Sequence, residues 1–191
     1  MAQQHYLKAL KIFEDAGNSH SAARECHHLG NVALLQRQFE VAQQYYFKAL
    51  KIYEDAGDLY STAMGYQQLG MLAQEQQQFE DAISYFQKAF DIYEQFQDWH
   101  GASQTLAKWG SLLAAQSNFS EALPIFIRGF VIDFEHHQAF VGWYIDALAQ
   151  MLQVLGENQF DTIWREVRSE ECAGEVREAI WAARDRLDKE S

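Results

Sequence analysis

Residues 66–94 read YQQLGMLAQEQQQFEDAISYFQKAFDIYE. Moving the window back by 40 residues gives CHHLGNVALLQRQFEVAQQYYFKALKIYE (26–54); moving it forward by 40 gives LAKWGSLLAAQSNFSEALPIFIRGFVIDF (106–134). Three copies at one fixed spacing, with no insertion between them, define a repeat protein. A unit of this size cannot bury its own apolar face, so the core is expected to run between neighbouring units.

Outward from that stretch, each copy divides into two helical patterns. In the first, apolar and small residues recur at helical spacing: Cys26, Leu29, Gly30, Ala33; Tyr66, Leu69, Gly70, Ala73; Leu106, Trp109, Gly110, Leu113. Glycine inside a helix costs about 1 kcal/mol relative to alanine. Three at one register position therefore point to close approach of a partner helix. The second pattern alternates large and small residues: Phe39, Ala42, Tyr46, Ala49; Phe79, Ala82, Phe86, Ala89; Phe119, Ala122, Phe126, Gly129. Between repeats, Gly17-Asn18 and Gly57-Asp58 supply a left-handed helix end followed by a cap for the next helix. Gln97-Asp98 keeps the cap and loses the glycine, so Gln97 is expected to carry strain of about 1 kcal/mol. Pro124 falls inside a second helix, where a kink is expected.

The chain opens in mid-repeat, since residues 2–18 match 42–58 at most positions and lack a first helix before them. This reads as a fragment, or the carboxy-terminal part, of a longer array, with an unpaired N-terminal helix available for self-association. Near His137 the repeat decays. Residues 140–155 read as a first helix with Gln150 in place of the glycine, 159–167 as a shorter second helix, and 175–187 as an amphipathic capping helix. The expected divisions are a truncated leading repeat at 1–17, repeats at 18–57, 58–97 and 98–137, a degenerate repeat at 138–170, and a cap at 171–191.

Composition bounds the partners. With 15 Lys plus Arg against 27 Asp plus Glu, the formal charge is −12 and the pI about 4.9. Such a surface repels phosphate backbones and anionic lipid, which argues against nucleic acid and membrane partners. Two cysteines, Cys26 and Cys172, make no disulfide framework and favour a reducing, cytoplasmic setting.

The alternation of Leu-Gly with spaced aromatics and alanines resembles the tetratricopeptide repeat (TPR), closely over residues 2–136 and loosely over 137–170. The 40-residue period resembles that of kinesin light chain and Pins-type adaptors, and Glu54 and Glu94 stand where many such repeats have proline. The resemblance implies an all-α, right-handed superhelical solenoid of stacked antiparallel helix pairs, with first helices lining a concave groove for a peptide or partner helix. Projected onto this chain, it puts Arg24, His27, Asn31, Met64, Gln67, Gln68, Met71, Gln74, Gln104, Lys108 and Ser111 on the groove wall. Amides dominate that wall, and an amide both donates to and accepts from a peptide backbone. The carboxylate clamp of co-chaperone TPRs corresponds here to His27, Asn31, Gln68, Gln104 and Lys108, with one residue identical and one charge kept, so that ligand is not implied. Bacterial signalling NTPases carry similar 40-residue repeats as sensor regions, and FDTIWREVRSEEC (160–172) looks like the ends of such chains. The leading functional expectation is a protein-interaction scaffold without catalysis; the alternative is a ligand-sensing segment of a larger NTPase.

Other chemistry finds little support. The seven histidines (His5, His20, His27, His28, His100, His136, His137) include two adjacent pairs, and adjacent helical residues do not face one ion together. Cys26 lies on the buried stripe and His27 turns about 100° away from it, so they do not form a nucleophile and its base. Gly30, Gly70 and Gly110 are isolated, and no GxxxxGK[ST] phosphate loop occurs. The rows Tyr45, Tyr46, Tyr53 and Tyr85, Phe86, Tyr93 read as core packing rather than a stacking platform for bases or sugars. No metal or cofactor is expected.

Overall fold

A left-handed residue ends a helix every 20 residues along the repeats. Gly17, Arg37, Gly57, Gln77, Gln97 and Ser117 all have φ between 54° and 67°. At Gly17 the backbone N–H donates to Glu14 O and the next N–H, of Asn18, reaches back to Phe13 O. The same pair of bonds recurs at Arg37, Gly57, Gln77 and Ser117. These bonds satisfy carbonyls that the helix ends would otherwise leave unpaired. Gln97 adopts the expected left-handed backbone, and the turns inside each repeat do so as well without a glycine. After the inter-repeat turns, Asn18, Asp58 and Asp98 accept the N–H of Ser21, Ser61 and Gly101 at 3.0–3.1 Å and cap the following helices.

The computed structural model describes residues 2–136 and 141–190, and the side chains of 3–136 and 141–189. His137, Phe140 and Met1, on which some of the sequence expectations fall, lie outside them. The described residues form ten α-helices: α1 (Ala2–Asp15), α2 (Ser19–Leu35), α3 (Phe39–Asp55), α4 (Leu59–Glu75), α5 (Phe79–Gln95), α6 (Trp99–Ala115), α7 (Phe119–His136), α8 (Val141–Leu155), α9 (Glu157–Arg168) and α10 (Gly174–Glu190). α7 runs unbroken through Pro124. The chain divides into two compact units, Met1–Phe96 and Gln97–Ser191.

In the first unit consecutive helices pack in order from α1 to α5. One buried cluster joins Leu10 of α1, Ala22, Ala23, Cys26 and Leu29 of α2, and Ala49 and Tyr53 of α3. The next joins Ala33 of α2, Ala42, Tyr46 and Leu50 of α3, and Leu69 and Leu72 of α4. The core therefore does pass from repeat to repeat. Within each pair the helices meet where a ring lies on a glycine. A methyl group at Gly70 would sit 2.7 Å from the Phe86 ring. At Gly30 it would overlap Tyr46. Charged groups reinforce the stacking: Lys48 Nζ bonds Glu14 at 2.6 Å, and Tyr66 Oη donates to Glu54 at 2.7 Å. The glutamate that stands where many TPRs place proline thus accepts a bond from the next repeat.

In the second unit α7 packs against α6, α8 and α9, and α8 packs more extensively against α10 than against α9. Gly110 of α6 takes the Phe126 ring, a methyl there falling 2.6 Å from it. The next contact reverses the roles. Gly129 on the second helix α7 receives Tyr144 of the first helix α8, whose hydroxyl donates to Ser103 O at 2.6 Å. This contact joins α8 to the preceding α7, whereas Gln150 leaves no glycine on α8 for a ring of α9. α10 is held by arginines: Arg177 grips Asp161 at 2.6 and 3.0 Å, Arg184 meets Glu157 at 3.0 Å, and the Arg177 guanidinium lies 4.1 Å from the Trp181 ring centroid. The fork on Asp161 is the strongest of these, because its geometry is bidentate and partly buried.

Replacing Gly70 by alanine forces the Phe86 ring to move and is expected to cost about 1–3 kcal/mol. Gly142→Ala, where nothing lies within 4 Å, is expected to be neutral or stabilising by up to about 1 kcal/mol. Urea unfolding midpoints of the two variants test the lock directly.

Candidate functional site

The packing of α2 on α3 uses one side of α2 and leaves its other side half open; α4 repeats this on α5. On α2, Arg24 is exposed and stands 3.8 Å from the buried Glu25. Asn31 is half-buried, and its Oδ1 accepts the Tyr46 hydroxyl at 2.7 Å. Burial pushes the Tyr46 phenol well above its ordinary range, so it stays a donor at physiological pH. Tyr46 therefore has two tasks: its ring covers Gly30 and its hydroxyl fixes the neighbouring amide. Phe86 and Phe126 keep only the first task, with Met71 and Ser111 beside them where Asn31 stands.

His27 departs from expectation. The TPR resemblance places it on the groove wall, but it is only 9% exposed, edge-on to the rings of Tyr46 (6.0 Å) and His28 (5.8 Å). The close crossing of α2 with α3 at Gly30 leaves His27, one turn earlier on α2, against the edge of the Tyr46 ring. Burial, and secondarily the nearby His28, depress its pKa. Its ring neighbours, Tyr46 and His28, belong to the packing of α2 on α3.

On α4, Met64 is 39% exposed, and Gln67, Gln68, Met71 and Gln74 are half-buried. These residues recur at three- and four-residue steps and share one side of the helix. α4 carries no charged side chain before Glu75. On α6 of the second unit, Gln104, Lys108 and Ser111 are half-buried at the same register, and Gln104 Nε2 lies 2.8 Å from His100 Nε2. The wall residues thus fall into two groups: α2 and α4 carry eight in one unit, and α6 carries three in the other.

The remaining chemistry-bearing groups are quiet. Among the described residues no group of His, Cys, Asp and Glu could hold a metal ion. No described helix is long and apolar enough to cross a membrane. Cys26 is fully buried and its thiol is pushed up mainly by that burial. Cys172 lines a cleft of about 210 Å³ with Asp161, Arg165, Glu171 and Arg177. Burial raises the Cys172 thiol to about 11, so little thiolate exists at neutral pH.

Antiparallel helix pairs in repeating register, locked ring on glycine, place the protein among the TPR-like helical repeat proteins. Solved structures agree. Over 98% of the chain it superimposes on aspartyl phosphate phosphatase F from Bacillus subtilis (TM-score 0.73, 19% identity), spanning 55% of that protein's length. It also superimposes on BtubC (BKLC) from P. vanneervenii (TM-score 0.69, 10% identity, 97% of this chain and 83% of that one). A third match is a Podospora anserina putative kinesin light chain with nearly identical TPR-like repeats (TM-score 0.69, 14% identity, 98% and 87%). At such identities these similarities speak to fold. The family model of soluble NSF attachment protein, SNAP, matches residues 1–129, and the chain belongs to that family. No curated protein matches it in a sequence search.

The Asn31–Tyr46 bond was missed at the sequence level, although the paired change from Tyr/Asn to Phe/Met between repeats was a visible signal. Tyr46→Phe is expected to cost about 1 kcal/mol by leaving the half-buried Asn31 oxygen without its donor, read from the urea midpoint. His27 makes a pH prediction. Its folded pKa lies below its unfolded value, so the unfolded chain takes up the proton first. Stability is complete above about pH 6.5 and declines as pH falls through the unfolded pKa toward the lower folded one. His27→Gln is expected to flatten the fall in unfolding midpoint between pH 7.5 and 5.5.

Proposed function

We infer that the chain is a protein-interaction scaffold that holds a peptide or partner helix against the first-helix face, without chemistry of its own. The observation that carries this reading is α4: a helix with no charge before Glu75 that leaves Met64, Gln68 and Met71 partly in water, in a protein of net charge −12. An exposed uncharged strip is not needed for solubility, and thioethers and amides adapt to an apolar helix face or to a peptide backbone. On α2, Arg24 and Asn31 hold the register positions of Met64 and Met71; Asn31, held by Tyr46, is pre-oriented, which lowers the ordering cost of binding. His27 acts behind it as packing. Gln67, Gln74, Gln104, Lys108 and Ser111 are assigned to the same role in their respective units. The family is named for attachment, and we carry over the class of partner, another polypeptide. Two free, buried thiols favour work in the reducing cytoplasm.

Panning a display library of helical peptides against the protein tests the face. The wild type is expected to enrich amphipathic sequences, Met64→Asp with Gln68→Glu to lose them at least tenfold, and the outer-face control Glu80→Lys to keep them. Equal enrichment by all three proteins would remove the face from the proposal.

A further inference from the structure

One stripe of the first helices changes its use at α8. On α2, Ala23, Cys26, Gly30 and Ala33 form the stripe that meets the second helix of the pair, and all four are buried. Ala63 and Ser103 open the same stripe on α4 and α6, each at 0% exposure. Counted on in steps of 40, these positions carry Trp143, Asp146, Gln150 and Gln153 on α8, and all four are exposed. α8 packs mainly on α7 and α10, and the stripe is left in water. An aspartate and two glutamines suit that place. Trp143, at 44% exposure, is the exception, because an indole costs free energy to leave in water. It makes T-shaped contacts with Phe126 at 5.7 Å and Tyr144 at 5.0 Å, whose rings are buried against Gly110 and Gly129. The indole is therefore held on a packed base while part of it stays accessible.

Asp146 follows one turn along α8, with its side chain 61% exposed. Its pair with Arg186 is a single contact of 3.4 Å between two exposed groups, which contributes little. What a tryptophan and an aspartate hold together is seen between α9 and α10. There the Arg177 guanidinium lies 4.1 Å from the Trp181 ring centroid and forks onto Asp161 at 2.6 and 3.0 Å. We propose that Trp143 and Asp146 form the matching open pair, a docking point for an arginine of another polypeptide. Its guanidinium stacks on the indole and meets the carboxylate. Lysine fits less well, since an ammonium is a point charge that neither stacks flat nor forks. The net charge of −12 attracts a basic segment and repels an acidic one. Gly142, next to the tryptophan, has nothing within 4 Å of a would-be methyl group, so the partner's backbone can come close. The pair includes none of the residues assigned on α2, α4 and α6, and neither reading rests on the other.

The test uses the full chain and a capped glycine–arginine peptide, GRGRGRG, beside a twin with citrulline at every arginine, followed by amide and indole N–H shifts and by calorimetry at physiological salt. The expected result is saturable binding that moves the Trp143 indole signal and the amides at the start of α8. The citrulline twin, which keeps the shape and loses the charge, is expected to bind at least tenfold more weakly to the unaltered protein. Asp146→Asn, at an exposed side chain, and Trp143→Leu are each expected to weaken the arginine peptide at least fivefold. Arg186→Gln removes the internal competitor for Asp146 and is expected to tighten binding, while Met64→Asp with Gln68→Glu leaves it unchanged. Absence of saturation at millimolar peptide would overturn the proposal. So would binding that Asp146→Asn and Trp143→Leu leave unchanged, because the arginines would then be spread over the acidic surface. Sedimentation showing a dimer that Trp143→Leu dissolves would assign the pair to a second copy and overturn it as well.

Discussion

A ring packed against a glycine closes each of these helix pairs. Tyr46 on Gly30, Phe86 on Gly70 and Phe126 on Gly110 bring each first helix closer to its partner than any side chain would allow. The ring gains burial and dispersion contact over the bare backbone, and this outweighs the roughly 1 kcal/mol that glycine costs a helix. The crossing also fixes which side of the first helix looks inward. Leu29 and Leu69 are consequently buried at 1% and 2%, while Met64 and Gln68 are left on the other side. The candidate face is a by-product of the lock.

The same constraint explains the exceptions. Where Gln150 replaces the glycine, α8 and α9 have no such lock, and the close contact of Gly129 with Tyr144 instead joins α8 to the preceding α7. The displaced geometry lets α10 sit against α8, and arginines on α10 tie it to acids on α9. Close crossing also takes His27 out of the solvent. An imidazole that periodicity would leave on the surface becomes a buried group with a depressed pKa.

Charge is distributed to match. Acids and lysines lie largely on second helices, where Lys48 with Glu14 links successive repeats. Exposed pairs of this kind contribute little each. On the first helices, α4 carries no charge before Glu75, and a neutral amide and thioether strip is left partly in water in an acidic protein. Membership of the soluble NSF attachment protein family and similarity to TPR-like structures both concern this scaffold of helix pairs.

The 40-residue period, the helix pairs, the caps at Asn18, Asp58 and Asp98 and the glycine contacts were all legible in the sequence, because each depends on residues close in the chain or repeated in register. The left-handed residues at Arg37, Gln77 and Ser117 were not, since no glycine marks them and only the backbone bonds that close the turn reveal them. The burial of His27, the Asn31–Tyr46 bond and the close contact of Tyr144 with Gly129 belong to tertiary structure alone. Periodicity says which side of a helix a residue is on; how near the neighbouring helix comes to that side is decided by side chains 15 or more positions away, as Tyr46 does for Asn31.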